Sequence, residues 1–301
     1  MRDTTDAHFL HQRSGLESVL RPPVPAPTAL AWVPGREELV AGTRDGAIFI
    51  VDPVLGTRQL VDGLAPVHVL SVHPDRKRYF TASEKGKWAV GKLAGGVEHE
   101  GRHPFVRHLV GFWLGEYAVL TGEGAKGYSV ILYQDGQLKA SIDIPERAIP
   151  LIGENGKLNL ARSMGAGLDV VPLGRNTTYA ATETTAHVLQ PSGNNVLGFT
   201  TTGVAIWPRT GGMPRSMRLP DVTAGDVTVN GNFVGFGARS GAVALATLHT
   251  LDGRIRPHLV KAFEQPVSTV AFSSRGRWLA AGAEGLRIFT WDDPDPTKVL
   301  E

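Results

Sequence analysis

Leu30-Ala31-Trp32-Val33-Pro34 is a short apolar run that ends in a turn, and a step of 40 residues lands on Leu70-Ser71-Val72-His73-Pro74. A further 40 residues reaches Val110-Gly111-Phe112, and the pattern returns as Val270-Ala271-Phe272-Ser273-Ser274. Alternating apolar residues closed by a turn are the signature of a half-buried strand. A second run ending in small residues follows each one: Leu39-Val40-Ala41-Gly42, Tyr79-Phe80-Thr81-Ala82-Ser83, Ala118-Val119-Leu120-Thr121-Gly122 and Leu279-Ala280-Ala281-Gly282. Asp45-Gly46, Lys85-Gly86 and Glu284-Gly285 then supply hairpin turns, where glycine has no Cβ to clash at positive φ. A third apolar run comes next, such as Ala47-Ile48-Phe49-Ile50-Val51 or Leu286-Arg287-Ile288-Phe289. A more polar fourth begins after another turn, as in Gly56-Thr57-Arg58-Gln59-Leu60-Val61.

The middle of the chain keeps the same time, with units opening at Pro150-Leu151-Ile152, Ala186-His187-Val188-Leu189 and Asp226-Val227-Thr228-Val229. First strands therefore fall near residues 30, 70, 110, 151, 188, 227 and 270. Four short strands in about 40–45 residues make one blade of a β-propeller. Seven such units close a ring without a free sheet edge. The expected fold is thus all-β: a seven-bladed propeller of four-stranded antiparallel blades over residues 15–293, with a polar tail at 1–14 and a second tail at 294–301. The last unit lacks a fourth strand, whereas Gly15-Leu16-Glu17-Ser18-Val19-Leu20 resembles Gly56-Thr57-Arg58-Gln59-Leu60-Val61 and precedes the first unit. Glu17 to Leu20 is therefore expected to pair beside Leu286 to Trp291 and close the last blade.

Composition agrees with a turn-rich globular protein. The 301 residues include 36 glycines and 20 prolines, and 42% are apolar. Zero cysteines exclude disulfides, thiolate metal sites and cysteine nucleophiles. A net charge of +2 argues against a protein built to neutralise nucleic-acid phosphates. No apolar run approaches the ~20 residues that span a bilayer, and Met1 to Gly15 carries no signal-length apolar stretch, so a soluble cytoplasmic protein is expected.

The chain resembles the WD-repeat class of propellers and their bacterial relatives, across essentially its whole length, as a strand rhythm. Trp291-Asp292 stands where that family places its namesake dipeptide, with Val51-Asp52 and Trp207-Pro208 at matching positions. The family's Gly-His pair is absent; Val67-His68 and Arg107-His108 keep the histidine alone, so the hydrogen-bonded tetrad of the family is not carried over.

Chemistry-bearing constellations are sparse. Gly-Xaa-Ser-Xaa-Gly in a strand–turn–helix context and phosphate-loop fingerprints are missing, and Gly122-Glu123-Gly124 reads as a hairpin turn. His99, His103 and His108, near Glu98 and Glu100, are weak metal candidates, because side chains 98 and 100 share a strand face opposite to 99 while His103 lies in a connection and His108 opens the next strand. No cofactor and no metal is expected. Residues 75–107 carry eight basic and four acidic side chains, and Arg76, Lys77, Arg78, Lys87 and Lys92 form a candidate basic surface for an acidic partner. Partner-binding candidates in the connections are Arg44, His68, Lys85, Phe105, Arg107, His108, Arg209 and Arg239. Phe105 is either a partner anchor or a plug between blades. A rigid ring that presents loops at fixed spacing, without a catalytic constellation, suggests a non-catalytic scaffold holding another protein, with a hydrolase, lactonase, lyase or small-ligand binder at the channel mouth as the alternative. Nucleic acid and membrane are not expected partners.

Overall fold

The computed structural model describes residues 16–144, 148–152, 158–164, 167–172, 178–181, 188–192, 195–199, 203–208, 215–218, 221–228, 233–247 and 258–291. These residues form seven four-stranded antiparallel sheets and contain no helix. Blade 1 runs Pro27–Trp32, Leu39–Thr43, Ile48–Asp52 and Gly56–Val61; blade 2 runs Val69–Val72, Arg78–Ser83, Lys87–Lys92 and Val97–Arg102. Blade 3 is Phe105–Leu114, Tyr117–Gly124, Gly127–Gln134 and Gln137–Ile144. Blades 4, 5 and 6 open with Ala148–Ile152, Val188–Ser192 and Val222–Val227, and each pairs its strands in chain order. The first strand of blade 6 thus starts four residues ahead of the Asp226 expected from the repeat.

Blade 7 consists of Thr269–Phe272, Leu279–Gly282 and Leu286–Thr290, and Glu17–Leu20 completes it as expected. Glu17 stands opposite Thr290 and Ser18 opposite Phe289 in antiparallel register. The expected tails lie outside the described residues. First strands of blades 6, 7, 1, 2, 3, 4 and 5 pack successively side by side, and that of blade 6 meets the second strand of blade 5, Asn195–Phe199, which closes the ring.

A blade held between two others buries both faces of its inner strands, as the second strands of blades 1, 2, 6 and 7 do. This is why Leu39–Thr43 is buried throughout instead of alternating as a half-buried strand would. On blade 2, Tyr79 packs towards blade 1 against Val33, Val40 and Val67, while Phe80 and Trp88 pack towards blade 3 against Trp113 and Tyr133. The fourth strands of blades 1 and 2 sit outermost and are largely exposed, which explains their polar composition.

Two recurrent hydrogen bonds tie neighbouring blades together. At one end of the first strand a hydroxyl reaches two carbonyls at once. Thr28 donates to Gly42 and to Val67 of blade 2; Thr223 donates to Gly237 (3.1 Å) and to Val267 of blade 7 (2.6 Å); Ser268 donates to Gly282 (2.9 Å) and to Pro27 of blade 1 (2.6 Å). In each case the glycine lies 14 residues after the hydroxyl. A Cβ on Gly42, Gly237 or Gly282 would overlap Val67, Val267 or Pro27, so only glycine lets the next blade approach this closely. At the far end of the first strand, the indole N–H of Trp32 donates to Ala271 of blade 7 (3.0 Å), and that of Trp113 donates to Ser71 of blade 2 (3.2 Å).

Turn readings divide. Gly46 and Gly86 adopt φ of +92° and +76°, as the hairpin reading requires. Gly285 does not enter the positive-φ region and instead forms an isolated bridge with Pro25. Gly122-Glu123-Gly124 is not a turn: all three residues belong to the strand Tyr117–Gly124, and the tip is Ala125-Lys126.

Candidate functional site

Antiparallel connectivity sorts the loops onto two ends of the ring. The upper end collects the connections between blades and the hairpins joining second to third strands. The lower end collects the hairpins joining first to second and third to fourth strands. Arg44, Lys85 and Arg239 all occupy second-to-third hairpins, and all three are exposed. Each hairpin is fixed locally. The Thr43 hydroxyl meets the Asp45 carboxylate and accepts the Ala47 N–H (2.9 Å), Ser83 Oγ accepts the Lys85 N–H (3.1 Å), and the Gly241 N–H returns to Ala238 (3.0 Å). On blade 7, the Glu284 carboxylate accepts the N–H groups of Glu264 (3.1 Å) and Gln265 (3.3 Å).

His68, Arg107 and His108 lie at the starts of first strands and share this upper end. His68 is exposed, with Nε2 3.7 Å from Glu84 and Nδ1 accepting the Glu84 N–H (3.3 Å). Arg107 grips Glu123 with two prongs, Nη2 at 2.6 Å and Nε at 2.9 Å, and the Tyr128 hydroxyl donates to the same carboxylate at 2.7 Å. These bonds, Arg107 first, hold the Glu123 carboxyl down to about 2. His108 does not open the strand, which starts at Phe105. It sits at a break in register with φ of +56°, stacked on Tyr128 at 6.5 Å and 3.9 Å from Glu123.

Phe105 is not a partner anchor. It is 1% exposed and packs with Phe80, Trp88 and Leu120, because Gly122 leaves room for its ring between blades 2 and 3. Of the two readings, the plug is the one the structure shows. Arg209 lies outside the described residues.

The three histidines do not converge. His99 is exposed on the fourth strand of blade 2 and lies over Gly136 of blade 3. His103 is 7% exposed, faces Phe105 at 5.5 Å and accepts its N–H at Nδ1 (3.2 Å); burial pushes its pKa down by disfavouring the charged ring. Among the described residues no group of three or more His, Cys, Asp or Glu is placed to hold a metal ion.

The basic run of 75–107 is not one surface. Lys87 stands at the upper end, whereas Arg76, Lys77, Arg78 and Lys92 stand at the lower end. Two of the latter are already neutralised. Arg78 bonds Asp75 (2.8 Å) and Glu116 of blade 3 (2.7 Å) and lies over the Trp113 ring, and Lys92 pairs with Glu98 (3.0 Å). A linear charge count missed this because each strand carries the chain to the opposite end.

First strands of blades 1, 2, 3, 6 and 7 line a central cavity of about 380 Å³. Its wall mixes polar and apolar surface, with the Thr28, Thr223 and Ser268 latches among the lining. Asp226 also lines it, and its carboxylate accepts the N–H groups of Val227 and of Phe272 in blade 7, both at 2.8 Å. That carboxylate serves the seam between blades.

No family model and no curated protein sequence matches the chain. Among solved structures it is similar to the WD40 beta propeller domain of Doa1, with 9% identity, 93% of this chain and 98% of that chain covered, and a TM-score of 0.72. The chain is therefore a β-propeller with a WD-repeat-like fold. At this identity the likeness is one of backbone architecture.

Proposed function

We propose that the chain is a non-catalytic, cytoplasmic protein-interaction scaffold that holds a partner protein on its upper end. The carrying observation is that Arg44, His68, Lys85, Arg107, His108 and Arg239, scattered over the sequence, meet on one end of a rigid ring. Charge there is mixed and held in register. The first charged residue after the second strand is Arg239 in blade 6, Glu284 in blade 7, Arg44 in blade 1 and Glu84 in blade 2, which alternates sign over these four successive blades. Such patterning orients an approaching protein and rejects mismatched ones. Phe105 drops out of the contact set, and the basic run contributes Lys85, Lys87, Arg102 and Arg107.

The test is capture from an extract of the source cells, with wild-type protein against the charge reversals Arg44→Glu and Arg239→Glu. Wild-type protein should retain a specific partner that both variants lose while keeping their melting temperature. Retention of no protein, together with a small molecule co-purifying in the central cavity, would replace the scaffold with the ligand-binding alternative.

A further inference from the structure

Outward from the channel, at the seam between blades 1 and 2, a groove of about 330 Å³ opens at the upper end. One wall is residues 63–65, the connection that leaves blade 1; the other is the face of blade 2 turned towards blade 1. Strand register determines which side chains that face carries. Ser83, Lys87 and Arg102 form one cross-strand row, and Thr81, Ala89 and Glu100 form the next. The intervening row, Ala82, Trp88 and Gly101, faces blade 3, where Trp88 packs on Tyr133 at 4.4 Å.

Lys87 and Arg102 are therefore direct neighbours across an antiparallel pair. Like charges in that position repel. Neither side chain forms an ion pair among the described residues, although Arg78, Lys92 and Arg107 on the same or adjacent sheets each do. Behind them Thr81 and Ser83 are 4% and 2% exposed, so the groove floor carries hydroxyls under a rim of two cations. An anion seated between Lys87 and Arg102 would relieve the repulsion, and the planar guanidinium matches a carboxylate with two parallel N–H bonds.

We propose that this groove binds a carboxylate carried on an extended segment of a partner protein. This rests on the scaffold reading and narrows it to one contact. Glu100 sets the polarity: it lies two residues from Arg102 on the same strand face, ~7 Å away along the strand. The bound segment must place a cation or neutral donor there, two residues from its carboxylate. A nucleic-acid strand repeats its negative charge along its length and sets one against Glu100, so the groove favours a peptide of mixed charge.

The probe is a fluorescein-labelled peptide of three Glu-Ser-Lys-Ser repeats, followed by polarisation against full-length protein. It should bind, whereas a Gln-Ser-Gln-Ser repeat should not. The double variant Lys87→Gln/Arg102→Gln should weaken binding at least tenfold, and Lys126→Gln, on the exposed tip of blade 3, should leave it within twofold. Glu100→Gln should let an all-acidic Glu-Ser-Glu-Ser repeat bind as well as the mixed one. The urea midpoint of the double variant should equal or exceed that of the wild type, because a repulsion has been removed. The proposal is overturned if the mixed peptide fails to bind at millimolar concentration, or if the double variant binds it unchanged. A lowered urea midpoint, or a twelve-residue oligothymidylate that binds more tightly and depends on the same two cations, overturns it as well. Partner capture that survives the double variant removes the groove and leaves the scaffold standing; absence of any captured partner removes the scaffold reading itself.

Discussion

Removing the hydroxyl latches should loosen the ring at defined seams. Thr28→Val and Thr223→Val keep the side-chain shape and delete one donor each; Ser268→Ala does the same at the seam between blades 7 and 1. Each hydroxyl reaches one carbonyl in its own blade and one in the next. A typical intramolecular hydrogen bond contributes about 1 kcal/mol, and a carbonyl left buried without a donor raises the loss to about 1–3 kcal/mol. Each variant should therefore lose about 1–2 kcal/mol, equivalent to roughly 2–8 °C in melting temperature at 2–4 °C per kcal/mol. The three latches also form a relay. Thr223 bonds the residue just before Ser268, and Ser268 bonds the residue just before Thr28. Neighbouring sites of this kind couple, so the Thr223→Val/Ser268→Ala pair should depart from the sum of its singles by at least 0.5 kcal/mol. Urea unfolding followed by tryptophan fluorescence measures all of this, with Thr57→Val on an outer strand as the reference. If the latch variants lose no more than that reference, within ±0.5 kcal/mol, the hydroxyls are bystanders and the seams are held by apolar packing alone.

Other consequences are open to measurement. Deleting residues 1–21 removes the fourth strand of blade 7 and should lower the melting temperature sharply; an unchanged melt would contradict the closure. Gly237→Ala places a methyl group into Val267 and should cost about 1–3 kcal/mol by overpacking, read as a lower urea midpoint. Arg76 holds φ of +63° where the matching turn of blade 7 has Gly276 at +67°, so Arg76→Gly should raise stability by about 1 kcal/mol. Glu123 is depressed from an ordinary 4.5 to about 2, so the stabilisation it brings is present above pH 4.5 and fades as pH falls towards 2. Carboxyl NMR should find its midpoint near 2 in the wild type, and Arg107→Gln should move that midpoint up towards 4.5.

The blade rhythm was legible because it is written in apolar runs and turn residues, which periodicity detects directly. The run from Leu30 to Pro34 led to blade 1, and the polar stretch from Glu17 to Leu20 led to the closing strand. Glycines were partly legible: Gly46 and Gly86 obey turn chemistry, while Gly42, Gly237 and Gly282 serve an approach between blades whose partners lie tens of residues away. The 14-residue spacing from hydroxyl to glycine stood in the sequence, but serine, threonine and glycine are too ordinary in strands to announce a latch. Candidate surfaces fared worst where linear proximity stood in for spatial proximity. Arg76 to Lys92 spans both ends of a blade, and Phe105 looked like a loop residue because its burial depends on a missing side chain at Gly122.

The closing strand also sets an order of events in the cell. Pro27 and Ser268, joined in the finished ring, are 241 residues apart, and Glu17–Leu20 emerges from the ribosome before either. At roughly 5–20 residues per second, translation keeps that segment waiting on the order of ten seconds to a minute for its sheet. Throughout that interval its backbone groups are unclaimed, and once Leu286–Thr290 forms, its outer edge accepts the same segment from any nearby copy of the chain. Slow translation or high expression should therefore favour strand-exchanged dimers, with each ring closed by the other's opening strand.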